Sequence, residues 1–399
     1  MALNGTLTRR GFTLGSVGAI GAAALPHPAL AQAEPIRIGW LTTLTGPLSS
    51  PGIGFDRGVR YAAEEINAAG GVKGRMIEVI TRDTQGDPTK AVNAAQEMIS
   101  RVKAHAVFGP TNSGEGLATT PILARAKMPN LVPGVVDSLI DPEKYPNAFR
   151  VAASNTQWDD AVRNYALKIV KGTKIAITGD ATGYGTSAVN ASLASFKKDG
   201  AEIVFDSVID ATQADVTPDM LRMKNAGADV LVSWTVSSGM AARQMNARAA
   251  LNWDVPIVGH PALGTGDIAR LLDKPANWEK VYMIGYRSAS FGADGKLPPR
   301  SQELVDKIRG KIQLDDTLLW WVLSGVDGIR LVASAVENSG SSSSEAITAY
   351  WNSLKAYPGV FGTYSYSPQQ HNGFPAAEVV MQQASKRRDG AFALAPGYG

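Results

Sequence analysis

The chain has 399 residues, 44% of them hydrophobic, a formal net charge of +3 at pH 7 and no cysteine. That length suits two domains of roughly 100–200 residues, with enough apolar side chains for a core in each. The small charge speaks against nucleic acid and membrane surfaces as partners, and the missing cysteines exclude disulfides, thiolate catalysis, Cys-ligated metals and a lipid anchor on an N-terminal cysteine.

Residues 1–33 read as a cleaved export signal. Thr8-Arg9-Arg10-Gly11-Phe12 carries twin arginines, Leu14–Leu25 is a Gly/Ala-rich apolar run, and Ala31-Gln32-Ala33 is a cleavage site. The run is too short, and too broken by Gly and Pro, to span about 30 Å of hydrocarbon. Cleavage after Ala33 removes Arg9 and Arg10, two of the positive charges, so +3 becomes +1. The expected location is the periplasm, reached by the twin-arginine or the general secretory route, and the expected state is a soluble monomer.

From Pro35 onward, strand-like runs alternate with helical periodicity. Ile36–Leu41 reads as a buried strand and Phe55–Asn67 as an amphipathic helix closed by Ala69-Gly70-Gly71. Met76–Thr81 is a strand and Pro88–Val102 a helix capped by Asp87. Ala106–Phe108 is a strand, Gly116–Ala126 a helix and Asn130–Val132 a strand. The rhythm then restarts. Helices over Trp158–Val170, Thr186–Lys198, Pro218–Asn225 and Gly239–Ala249 alternate with strands over Lys174–Thr178, Glu202–Val208, Val230–Trp234 and Pro256–Val258. Val281–Tyr286 is a further strand. Helices follow over Ser301–Arg309, Leu318–Asn338 and Glu345–Ala356, the last two joined by a Ser-rich loop, and Lys386-Arg387-Arg388 reads as a solvated turn. The expected fold is α/β and doubly wound, two lobes whose parallel sheets carry helices on both faces.

Chemistry-bearing motifs are scarce. After the signal, His105, His260 and His371 are scattered, without H-x-x-x-H spacing, so no metal site is expected. Neither a G-x-S-x-G elbow nor a G-x-x-x-x-G-K-[ST] loop is present. Thr178-Gly179-Asp180-Ala181-Thr182-Gly183-Tyr184-Gly185 resembles the nucleotide loop of short-chain dehydrogenases, with Asp206 near the place of a ribose-binding acid. Its late position in the chain and the missing Y-x-x-x-K count against an exported nucleotide-dependent oxidoreductase, so no cofactor is expected.

The strand-end loops share a location, the edge where open α/β sheets bind ligands. They are Thr45–Ser50, Gly109–Gly114, Pro133–Ser138, Thr182–Tyr184, Trp234–Ser238 and His260–Ala262. Together they offer hydroxyls, an amide, backbone donors and aromatic rings, without an acid–base pair or nucleophile. That composition suits binding and not catalysis.

Several stretches resemble the periplasmic substrate-binding proteins of branched-chain amino acid and amide ABC transporters. They are Ile36-Arg37-Ile38-Gly39 with Leu44-Thr45-Gly46-Pro47-Leu48, the run from Gly58 to Gly74, Asp83–Pro88, and Val360–Ser367. The resemblance implies a type I periplasmic binding fold, two lobes joined by a three-crossover hinge that close on a ligand and dock on a membrane permease. The crossovers are expected near Ala153–Asn155, Ile284–Tyr286 and Tyr357–Phe361. Lobe 1 then takes 34–154 with 287–356, and lobe 2 takes 155–284 with 361–399.

The resemblance also implies the site: Ser50, Asn112, Ser113, Gly134, Val136, Asn155, Tyr184, Trp234 and His260, with Val236 an alternative to Trp234. Ser113 and Asn112 match the carboxylate-holding positions, and Tyr184-Gly185 matches the pair that closes on the ligand. The loop where the family carries an ammonium-binding acid reads His260-Pro261-Ala262-Leu263. The expected ligand is therefore an amino acid whose ammonium meets a substitute such as Asp137, or else an aromatic acid, a keto acid or an amide such as urea. Trp158, Tyr184, Trp234 and His260 suit the latter group.

Overall fold

The computed structural model describes Met1 and residues 34–398. Apart from Met1, the export signal expected over 1–33 lies outside the described residues. The first half runs β1 (Ile36–Thr42), α1 (Ser49–Ala68), β2 (Ile77–Asp83), α2 (Pro88–Glu97), β3 (Ala106–Phe108), α3 (Ser113–Arg125), β4 (Asn130–Val132) and β5 (Ala148–Arg150). The chain continues as α4 (Asn155–Asn164), β6 (Lys174–Asp180), α5 (Gly183–Lys198), β7 (Glu202–Ile209), α6 (Thr217–Asn225), β8 (Val230–Trp234), α7 (Ser238–Ala250), β9 (Ile257–Gly259), α8 (Ile268–Leu271) and β10 (Val281–Tyr286). It ends with β11 (Ser290–Phe291), α9 (Pro299–Ile308), α10 (Leu319–Ser339), α11 (Ser344–Asn352), β12 (Tyr357–Pro358), β13 (Thr363–Tyr364), β14 (Val379–Arg388) and β15 (Ala391–Leu394).

Two sheets form the two expected lobes. The first is parallel, in the order β2-β1-β3-β4-β5. The second repeats that order as β7-β6-β8-β9-β10, all parallel. It then departs from the expected parallel pattern. β14 pairs antiparallel with β10 and β15 antiparallel with β14, so this sheet is mixed. Asp389 and Gly390, both at positive φ, turn that hairpin. Lys386-Arg387-Arg388, expected as a turn, is the end of β14.

The chain passes between the sheets three times, the second and third time at places shifted from those expected. The first passage follows β5. The second follows β11 instead of β10, because Gln382 Nε2 donates to Ala289 O at 3.0 Å and to Ser290 Oγ at 2.8 Å and holds that strand on the second sheet. The third comes after residue 372 instead of Phe361. Tyr364 Oη donates to Val151 O at 3.3 Å, Tyr366 Oη donates to Arg150 O at 2.8 Å, and the His371 ring stacks on Phe149 at 3.9 Å.

α10 has the length and apolar composition of a membrane span, yet it is a core helix of the first lobe. It lies against α1 at a distance only glycine allows. A Cβ on Gly58 would overlap the Val322 carbonyl oxygen, and one on Gly325 would overlap that of Phe55. Gly58→Ala should therefore destabilise the protein by about 2–3 kcal/mol, against the gain of about 0.5–1 kcal/mol usual for this change in a helix. Urea unfolding of variant and parent measures the difference.

Candidate functional site

The parallel part of each sheet reverses its strand order once, at β1/β3 and at β6/β8, and ligands bind beyond the strand ends at such points. Here the ends of the two sheets enclose a cavity of about 60 Å³, partly open to solvent. The lobes meet at its rim. Gly183 of α5 approaches Gly114 of α3 so closely that a Cβ on it would sit 3.1 Å from the Gly114 Cα. Ser50 Oγ donates to Asp267 Oδ2 at 3.5 Å.

One end of the cavity is polar. Helices start earlier than the sequence pattern indicates, at Ser113 and Gly183 and not at Gly116 and Thr186. Asn112 and Thr182 cap them, accepting from Gly114 N–H at 2.8 Å and Gly185 N–H at 2.9 Å. Ser113 and Tyr184 thus sit on rigid first turns. Ser113 Oγ accepts from the Val135 N–H at 3.1 Å, which leaves its own proton free for a ligand among the described residues.

The other walls are aromatic. Trp158 stands edge-on to Tyr184 at 6.0 Å, to His260 at 5.3 Å and to Trp320 at 6.3 Å, and Phe55 is edge-on to Trp320 at 5.8 Å. Trp158 is fixed by donating Nε1–H to Tyr286 Oη at 2.8 Å. Two lining groups lack partners: Tyr184 Oη and Trp320 Nε1, on side chains 2% and 4% exposed. A buried donor without an acceptor carries a desolvation cost of about 1–3 kcal/mol, which a ligand can relieve.

Charge is absent from the lining: among the described residues no Asp, Glu, Lys or Arg faces the cavity. His260 Nδ1 accepts from the Ala262 N–H at 3.0 Å, and burial pulls the ring down to about 3, so it is neutral. Asp137 does not substitute for the missing acid. It is exposed, and its Oδ2 accepts from the Thr156 N–H at the start of α4.

Of the expected contacts, the structure brings Asn112, Ser113, Gly134, Tyr184 and His260 together around the cavity. Ser50 instead bonds Asp267 at the rim. Val136 turns its carbonyl to Arg150 at 2.8 Å, and Val135 lines the cavity in its place. Asn155 is held at the hinge, its N–H on Val135 O at 2.6 Å. Trp234 is behind Tyr184, its Nε1–H on Ser192 Oγ at 2.8 Å, and the alternative Val236 faces the cavity. Phe55, Trp320 and Trp321 also line the cavity, and the sequence does not single them out, since all three fall on helices whose apolar pattern reads as core. The glycine loop at 178–185 is accounted for by packing. A Cβ on Gly185 would overlap the Asp180 carbonyl, and the Asp180 carboxylate accepts from Thr182 Oγ1 at 2.6 Å and Thr235 Oγ1 at 3.1 Å.

Comparison with known proteins agrees with this architecture. A family model described as periplasmic binding protein matches residues 35–390. The Leu/Ile/Val-binding protein homolog 3 of Brucella melitensis is 28% identical over 368 residues, covering 90% of this chain and 94% of the relative. The branched-chain amino acid transporter substrate binding protein LivJ of Streptococcus pneumoniae, solved with isoleucine, superposes with a TM-score of 0.77 at 22% identity, covering 90% of this chain and 99% of that one. An ABC-transporter solute binding protein of Rhodopseudomonas palustris, solved with 4-hydroxybenzoate, gives 0.75 at 22% identity, covering 90% and 95%. At such identity the two structures speak for the fold.

The neutral His260 has a measurable consequence. Its folded pKa, about 3, lies below the ordinary 6.5, so the unfolded chain takes up a proton that the folded ring refuses. Stability is lost as pH falls through 6.5 toward 3. His260→Gln should flatten that decline by up to about 1.4 kcal/mol per pH unit, measured as urea midpoints between about pH 7 and 4.5. An equally steep decline in the variant contradicts the assignment.

Proposed function

The chain belongs to the periplasmic binding protein family, and on that premise we propose that it captures a small aromatic carboxylate for an ABC importer. The solute is held between the two lobes and is not chemically changed. One observation carries this reading: the cavity is walled by aromatic rings and uncharged donors, with no acid to receive an ammonium group. Burying an ammonium unpaired costs several kcal/mol, which disfavours an α-amino acid. A carboxylate has partners at the Ser113 hydroxyl and the first turn of α3, whose dipole favours negative charge. A flat ring fits among Trp158, Tyr184 and Trp320, and the free Tyr184 Oη and Trp320 Nε1 suit a second acceptor on it. The Rhodopseudomonas protein solved with 4-hydroxybenzoate supports this class. The relatives named for Leu/Ile/Val support the amino-acid alternative, for which the cavity lacks the acid.

In this reading residues 1–33 are removed after Ala33 and the protein works in the periplasm as a monomer. Residues 34–154 with 292–372 form one lobe, and residues 155–291 with 379–398 form the other. Solute binding shifts the open–closed equilibrium toward the form that the membrane permease accepts. The Gly114–Gly183 approach and the Ser50–Asp267 bond are contacts of that closed form.

A thermal-shift panel of the mature protein tests the class. Benzoate or 4-hydroxybenzoate at about 100 times Kd should stabilise by about 2.7 kcal/mol, a shift of several degrees. Trp320→Phe keeps the ring and removes the N–H, and should weaken 4-hydroxybenzoate about tenfold in calorimetry. Stabilisation by leucine, isoleucine or valine alone would overturn the aromatic reading.

A further inference from the structure

Arg150, the last residue of β5, is fully buried, and no carboxylate pairs with it among the described residues. Its Nε donates to Asn372 Oδ1 at 2.6 Å, and its terminal nitrogens donate to the carbonyls of Gly134 and Val136. Asp137, the nearby acid, is exposed and engaged with Thr156. Burial lowers the guanidinium pKa only to about 10, so the group stays charged at neutral pH. A buried cation whose hydrogen bonds all go to neutral groups, with the exposed Asp137 acting only at a distance, is costly, and a retained one calls for a counter-charge.

One peptide group connects this charge to the cavity. The Gly134 carbonyl accepts from Arg150, and the N–H of the same peptide, on Val135, donates to Ser113 Oγ at 3.1 Å. The Ser113 hydroxyl proton is then left for the cavity. Each bond in such a chain polarises the next, and in a dry interior the guanidinium field is weakly screened.

We infer that Arg150 makes the cleft select an anionic head group, acting through the Gly134–Val135 peptide and the Ser113 hydroxyl without touching the solute. The inference rests on the proposed placement of a carboxylate at Ser113 and adds the source of the charge preference. It answers how a lining with no basic side chain separates an acid from its neutral amide. Arg150 is in this sense a positioning residue. Its positive charge and its hold on two carbonyls both bear on the same end of the cavity.

The test compares benzoate with benzamide, and acetate with acetamide, on the parent protein, Arg150→Met and Arg150→Lys, by calorimetry and thermal shift. The parent should prefer each acid over its amide by about 100-fold or more, and Arg150→Met should cut that ratio to about tenfold or less. Arg150→Lys keeps the charge but loses the fork, and should keep most of the ratio. A role confined to the scaffold would weaken acid and amide alike and leave the ratio unchanged, which overturns the inference. If Arg150→Met does not fold, the parent ratio decides: equal binding of acid and amide overturns it, and a strong preference for the acid supports it. Acetate favoured over acetamide without benzoate binding would sink the aromatic reading and leave the role of Arg150 standing. No binding of any of the four overturns both.

Discussion

A cleft that closes over a small solute strips away its water, and each charge carried inside must then be answered by the protein. The lining of this cavity answers only one sign. It presents rings, hydroxyls, an amide and a neutral histidine, with the buried guanidinium of Arg150 behind the Gly134 loop and the buried Asp180 behind Val236. A solute with a negative end and an apolar body meets a partner at each part of its surface. A positive group meets no carboxylate in the lining. The aromatic walls, the unpartnered Tyr184 and Trp320 donors and the absence of acid all follow the same constraint.

The backbone arranges this economically. Two sheets with the same internal strand order point their strand ends at each other, so loops at equivalent places in the two halves converge without any long insertion. α1 and α10 bring Phe55, Trp320 and Trp321 to the wall, and their glycine-mediated contact fixes how far those rings reach in. Trp320 is also fixed from behind, since its ring stacks on Phe361 at 5.7 Å. Asp327, two turns further along α10, accepts from the N–H groups of Val360 and Phe361, each at 2.8 Å. The helix that walls the cavity thus also anchors the segment that leads to the third passage between the sheets.

Much of the fold is legible in the sequence because alternating strand and helix periods are written in runs long enough to read. Asn130–Val132 and Val230–Trp234 fall where the pattern places them. The polar half of the site is legible too, since Asn112, Ser113, Gly134 and Tyr184 follow strand ends and topology alone brings such loops together. The hairpin β14–β15 escaped despite its Asp389-Gly390 turn, because the three basic residues before it mask the strand. The aromatic half escaped for a different reason. Trp320 and Trp321 sit in an almost wholly apolar helix, and apolar periodicity does not distinguish a ring facing the core from one facing a cavity. Trp234 shows the converse. A strand-end aromatic was expected to line the site, but its indole N–H finds Ser192 within the lobe and the ring stays behind Tyr184.

The central claim is that this cleft takes a carboxylate without an ammonium. Calorimetry of phenylalanine against 3-phenylpropionate tests it most directly, because the two share ring, chain and carboxylate and differ only in the amino group. The deaminated acid should bind at least about 100-fold more tightly, the least expected for burying an ammonium unpaired. Equal or tighter binding of phenylalanine would show that an acid reaches the ligand, and would contradict the account.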